Sequence, residues 1–169
     1  MIIKILRGIT MNKILVAYFS ASGVTKGVAE RLSKATGGDL FEIVPKQIYT
    51  NADLNWMDRN SRSSVEMRDR SSRPEIASKV EDMGKYEYVF VGFPIWWYRE
   101  PSIIDTFLQQ YDFSGKIIIP FATSGSSGIG EAPESMQKIV KNARVLSGKR
   151  FVSSVSESEL KTWVDGIIK

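Results

Sequence analysis

Three hydroxyls and a glycine stand together in Ser20-Ala21-Ser22-Gly23-Val24-Thr25, between an apolar run and a helical repeat. Hydroxyls donate hydrogen bonds without carrying a charge, and the first amides of a helix have no partners inside it. Together with the positive pole of the helix dipole they make an anion site, and phosphate is the anion that suits it. Ser22 acting only as a helix cap accounts for one hydroxyl, not for three beside a glycine. Ser20, Ser22, Gly23, Val24 and Thr25 are therefore the candidate phosphate residues. Two competing motifs fail on spacing. A dinucleotide turn needs three glycines where only Gly23 and Gly27 stand, and a nucleoside-triphosphate loop needs Gly-Lys before Ser or Thr.

A second stretch, Gly92-Phe93-Pro94-Ile95-Trp96-Trp97-Tyr98-Arg99-Glu100-Pro101, sets three consecutive aromatics between prolines that stiffen the backbone. Large rings at a loop tip are costly in water unless something flat covers them. Pro94, Ile95, Trp96, Trp97 and Tyr98 are the candidate ring-binding residues; packing back onto helices, or a homodimer contact, is the other use for them. A third stretch, Thr123-Ser124-Gly125-Ser126-Ser127-Gly128, has side chains small enough for main-chain amides to approach a ligand edge. Its candidates are Thr123, Ser124, Gly125 and Gly128; read alone, it is a flexible loop. A phosphate cradle, an aromatic platform and an amide-rich wall together fit flavin mononucleotide (FMN).

The elements that must bring these loops together alternate along the chain. Lys13–Ser20, Asp39–Val44, Tyr86–Phe93, Lys116–Ala122 and Arg150–Val155 read as strands, with Pro120 removing a donor from the far end of the fourth. Val24–Ala35, Ser102–Gln110, Ala132–Ala143 and Glu157–Ile168 read as helices. Strand–helix alternation implies right-handed crossovers, hence an α/β fold with a parallel sheet and helices on both faces. Ligands bind such sheets beyond the carboxyl ends of the strands, where the loops after strands one, three and four meet. The stretch 46–85 is too long for a plain loop. It is expected to hold two helices, one capped by Asp53 and running to about Arg62, the other opened by Pro74 with Ile76, Val80 and Met83 facing the sheet. Between them Arg68, Arg70 and Arg73, with Asp69, read as a solvated face among carboxylates; a nucleotide phosphate or a partner is the other use for them.

Composition removes whole classes of chemistry. Among 169 residues there is no Cys and no His, which excludes thiol nucleophiles, disulfides, thiolate or imidazole metal sites and His-based triads. The net charge is +4, from 23 Lys and Arg against 19 Asp and Glu. With Lys4 and Arg7 near the start of the chain, the remaining excess is too thin for a nucleic-acid footprint. No apolar run reaches the ~18 residues of a membrane span. Residues 1–10 read as an N-terminal extension without a signal-peptide pattern, 11–169 as one domain, and the cytoplasm as its expected place.

With these residues in view, the sequence from about Met11 onward resembles the flavodoxin-like family, in particular its small bacterial flavoproteins with a Pro-Ile-Trp-Trp loop. The resemblance is carried by Ser20-Ala21-Ser22-Gly23-Val24-Thr25, Gly92-Phe93-Pro94-Ile95-Trp96-Trp97, and Asp112-Phe113-Ser114-Gly115-Lys116 leading into Phe121-Ala122-Thr123-Ser124-Gly125. It implies a five-stranded sheet in the order 2-1-3-4-5 and non-covalent FMN. The first loop would hold the phosphate, and the Trp-Trp-Tyr and Ser-Gly loops would flank the isoalloxazine. It also implies redox partners: another redox protein in electron transfer, or NAD(P)H and a small acceptor such as a quinone in an oxidoreductase. Electron-shuttling flavodoxins are typically acidic, and this chain departs from them in being basic. The rival from another class is a non-catalytic FMN-binding or interaction module.

Overall fold

Every residue of Ile14–Tyr18 (β1) is buried, as in a strand covered on both faces. The structure, a computed structural model, describes residues 13–168; the expected extension at 1–10 lies outside them. β1 is followed by Val24–Thr36 (α1) and Asp39–Glu42 (β2). Arg62–Arg68 (α2), Tyr88–Pro94 (β3), Ser102–Gln110 (α3) and Ile117–Thr123 (β4) come next. Ala132–Ile139 (α4), Arg144–Val145 (β5), Lys149–Phe151 (β6) and Glu157–Asp165 (α5) complete the chain. All pairings are parallel, in the order β2-β1-β3-β4-β5, with β6 also on β4.

Two apolar layers cover the sheet. Val28, Ala29 and Leu32 of α1 pack with Leu160 and Val164 of α5 on one face, around Val16, Phe90 and Ile119. Ile103, Ile104 and Phe107 of α3 and Met136 of α4 cover the other, around Leu15, Val89, Val91 and Ile118. This is the expected doubly wound fold. Among the described residues no helix is long and apolar enough to cross a membrane.

The fifth strand differs from the expected Arg150–Val155: it is split into β5 and β6 around Leu146–Gly148. Ile118 turns its carbonyl to Leu146 N. By the alternation of a strand, Pro120 faces the same side, where it has no N–H to offer. Gly148 fits the gap because any Cβ there would lie 2.2 Å from Pro120 O. The chain then leaves the sheet, and Val155 N bonds Val152 O in a turn.

Two helices are shorter than expected. Helix α4 ends at Ile139 rather than Ala143, because the Gln137 amide side chain takes over, donating to Val140 O and Ala143 O and accepting from Val145 N. Helix α5 ends at Asp165 rather than Ile168.

In 46–85 only one of the two expected helices forms, and later than expected. Asp53 closes a local turn with Thr50 instead of capping a helix. Ser61 is the cap of α2, its Oγ accepting from Ser64 N. The segment opened by Pro74 is extended, since Ile76 bridges Pro45 and the flanking main chains exchange Lys46 N–Glu75 O and Ala77 N–Val44 O bonds. Val80 and Met83 are buried as expected, by a different backbone. Because α2 carries one wall of the cleft described below, its cap can be tested: Ser61→Ala should cost about 1 kcal/mol of stability, read as a lowered urea midpoint with unchanged slope.

Candidate functional site

The three loops leave the carboxyl ends of β1, β3 and β4 and are bonded to one another. Ile95 N donates to Thr123 O at 3.2 Å, and Thr25 Oγ1 lies 2.7 Å from Thr123 Oγ1, both hydroxyls buried. Loop one therefore meets loop four directly, with the start of loop three pinned to the same strand end.

At loop one, Gly23 is left-handed, φ +93°, with open space where a Cβ would stand. Ser20, rather than Ser22, caps the helix: its Oγ accepts from Gly23 N at 3.1 Å and Lys26 N at 3.2 Å. Ser22, Gly23 and Val24 are exposed. Among the described residues, the Val24 and Thr25 amides meet no acceptor. Two open amides at the positive end of a 13-residue helix, beside a glycine turn, are what an anion requires.

Loop three is a two-residue hairpin turn. Trp96 and Arg99 exchange both main-chain bonds, and the central residues Trp97 and Tyr98 have φ of +51° and +69°. Turns of this hand favour glycine or asparagine at both positions. An aromatic held there costs about 1–3 kcal/mol and persists only where the surroundings over-determine it. They do here: Tyr98 O accepts from Glu131 N at 3.1 Å, and a Cβ on Gly130 would strike that carbonyl at 2.3 Å. The turn sends its rings apart. Trp96 packs edge-on against Phe19 and Tyr49, at 5.6 and 5.4 Å, whereas Trp97 is 46% and Tyr98 74% exposed.

Between this turn and the 50s segment opens a cleft of about 500 Å³, within the range of small-molecule sites. Ile95, Trp96, Trp97 and Tyr98 line one side, Leu54, Trp56 and Ser63 the other, and Ser127 of loop four its edge. Pro94, at the end of β3, is half-buried, and Ser124, Gly125 and Gly128 lie along loop four outside the lining. Arg150 holds that loop, donating to Ser124 Oγ at 3.0 Å and to Ser124 O at 2.9 Å. Trp56, Leu54 and Ser63 were missed by sequence reasoning. Trp56 is 69% exposed and is followed by Met57, also exposed, in an otherwise polar stretch; that unexplained apolar pair was the available signal.

Beneath the cleft, Tyr49 donates to Glu66 Oε1 at 2.5 Å, and the Arg62 guanidinium lies 3.8 Å from the centre of its ring. Burial and then the bond to Glu66 raise the Tyr49 hydroxyl far above the ordinary phenol range, so it stays a neutral donor. The floor is thus fixed by a neutral Tyr49 held between Arg62 and Glu66, which pair with each other at 3.0 Å.

A doubly wound parallel sheet in this order, with a ligand-sized aromatic cleft beyond the carboxyl ends of its central strands, defines a flavodoxin-like α/β protein. The flavodoxin family model matches residues 13–167, and the chain belongs to that family. Among solved structures it is similar to a protein from Bacteroides eggerthii assigned to the flavoproteins, at 46% identity and a TM-score of 0.88, over 93% of this chain and 98% of that one. A second such protein, from Bacteroides uniformis, is 44% identical with a TM-score of 0.86, over 91% and 98% of the two chains. A flavoprotein from Lactobacillus acidophilus, solved in complex with FMN, shares the fold at 21% identity and a TM-score of 0.69, over 90% and 99%. No curated protein matches the sequence.

Proposed function

We propose that this chain is a cytoplasmic FMN-dependent redox protein that passes electrons from NAD(P)H to a small acceptor such as a quinone. The observation that carries the reading is one of adjacency. An open helix N-terminus and an aromatic cleft are joined through the 2.7 Å Thr25–Thr123 contact, so a phosphate and a flat ring on one molecule have a place each. The residues present fit FMN: Ser22 and the Val24 and Thr25 amides for its phosphate, Trp97, Tyr98 and Trp56 for its ring system, and the Ser124–Gly128 loop for its polar edge.

Bound FMN supplies the electron chemistry, which needs no protein nucleophile and so suits a chain without Cys or His. The chain's own work is to bind and to shield. The amides and dipole of α1 neutralise the phosphate, the turn and Trp56 exclude water from the ring faces, and Tyr49, held by Glu66 and Arg62, fixes the floor. The net charge of +4 favours a small or anionic partner over the basic proteins that acidic shuttles serve.

The purified protein should show flavin absorption bands, and acid should release FMN from it. With NADH or NADPH and a quinone it should then turn over. Failure to bind added FMN would overturn the proposal. Binding without turnover with either donor would leave the non-catalytic binding module as the function.

A further inference from the structure

Behind the aromatic turn lies a buried charged cluster that FMN binding alone leaves without a role. Arg99, which closes the turn, is buried; its Nη2 lies 3.3 Å from Met67 O of α2 and 3.4 Å from Ser102 Oγ of α3. Ser102 Oγ in turn donates to Glu66 O of α2 at 3.2 Å. Since α2 carries Ser63 onto the facing wall, one guanidinium joins both walls of the cleft.

Two buried carboxyls hold that guanidinium. Its Nη1 lies 3.8 Å from Glu100 Oε1 and 3.5 Å from Asp105 Oδ2. The segment between α2 and β3 brings Arg73, partly exposed, 3.9 Å from Asp105 Oδ2. Helix α4 brings the Ser135 hydroxyl, which donates to Glu100 Oε1 at 2.6 Å, and α2 presents main-chain carbonyls. Glu100 Oε2 and Asp105 Oδ1 are buried and find no donor among the described residues. Both carboxyls reach the same Arg99 Nη1 and so lie close to one another, and burial, then Glu100, push the Asp105 carboxyl up to about 8. Two buried carboxyl oxygens without a donor call for a proton, and one proton supplies the donor and removes the like-charge repulsion.

We propose that Glu100 and Asp105 are positioning residues of the cofactor site: sharing one proton they fix Arg99, and through it both cleft walls, in the geometry that receives the ring. The inference rests on the FMN reading. Loss of the proton leaves two buried carboxylates repelling each other beside Arg99, with only the partly exposed Arg73 on Asp105 to offset them, and the turn loosens. A ligand that clamps the walls therefore binds the protonated pair better, so binding near pH 8 takes up a proton and affinity falls as pH rises. The sign for folding is the same: the native state holds this proton where the unfolded chain has lost it, so stability declines from the ordinary carboxylate range up to about pH 8.

The test uses riboflavin, which has no phosphate to titrate, on the full chain at pH 7, 8 and 9. Wild type should bind about fivefold to tenfold more weakly at pH 9 than at pH 7. Titration calorimetry at pH 8, in buffers of different ionisation enthalpy, should show net proton uptake. Asp105→Asn and Glu100→Gln, whose amides donate without titrating, should each be flat across this range. A flat wild type without proton uptake, or a slope that persists in whichever of the two variants folds, would overturn the proposal. Absence of riboflavin and FMN binding at every pH would instead overturn the cofactor reading.

Discussion

Thr25→Ala is expected to weaken FMN about 10- to 150-fold and riboflavin much less, the loss corresponding to a charge-assisted hydrogen bond of ~1.5–3 kcal/mol. The structure refines the reason. Thr25 Oγ1 is buried and paired with Thr123 Oγ1 at 2.7 Å, and only one of the two hydroxyls can donate in that contact. If Thr123 donates, the Thr25 proton is left for an acceptor outside the protein, and the phosphate beside the open Val24 and Thr25 amides provides it. The same change strips Thr123 of a buried partner, so a stability loss of about 1 kcal/mol accompanies it. Comparing the two ligands removes that contribution, because it falls on both. Thr25→Ser keeps the hydroxyl and should restore the preference for FMN. Equal weakening of FMN and riboflavin would show that this loop does not hold the phosphate.

What the sequence made legible follows from the range of the forces involved. The strands and the loops to inspect could be read because β1, β3 and β4 are apolar runs alternating with helical repeats, whereas the strand order comes only from the family resemblance. The 46–85 segment could not be read in the same way. Ile76, Val80 and Met83 have a spacing that a helix satisfies. Yet a segment extended at Ile76 against Pro45 and closed by a single 3-10 turn at Met83–Lys85 buries Val80 and Met83 and packs Ile76 part-buried on the core. What decides is the Lys46 N–Glu75 O and Ala77 N–Val44 O bonds, with partners about 30 residues apart in sequence, which no local pattern encodes. The second cleft wall escaped for the same reason. Ser63 and Trp56 are brought to the turn by long contacts, such as Ser63 N to Asp53 O and Arg62 Nη1 to Gln47 O. The Glu100–Asp105 pair was hidden differently: nothing in a Glu or Asp side chain announces that it will be buried.

The aromatic turn should yield one large loss of affinity and one loss of stability, at different residues. Trp97→Ala is expected to weaken FMN about 10- to 100-fold and to raise the fluorescence of whatever flavin remains bound, since ring stacking is worth ~1–3 kcal/mol in comparable systems. Trp97 is chosen over Tyr98 because it is the less exposed of the two cleft-lining rings, 46% against 74%, and so already lies closer against the wall a flavin would share. Tyr98→Ala should weaken binding less. Trp56→Ala, on the facing wall, should approach the Trp97 effect if the ring is held from both sides. Trp96→Ala should behave unlike any of these. Its ring packs edge-on against Phe19 and Tyr49, so its removal opens a hole in the floor and lowers the thermal midpoint, the cost of a partly buried Trp→Ala reaching ~3 kcal/mol. Titration of each variant with FMN, followed by fluorescence, reads the first effect, and thermal unfolding of the FMN-free proteins reads the second. If Trp97→Ala and Trp56→Ala both bind FMN like wild type and only self-association changes, the exposed rings are an interaction surface and the stacking assignment is wrong.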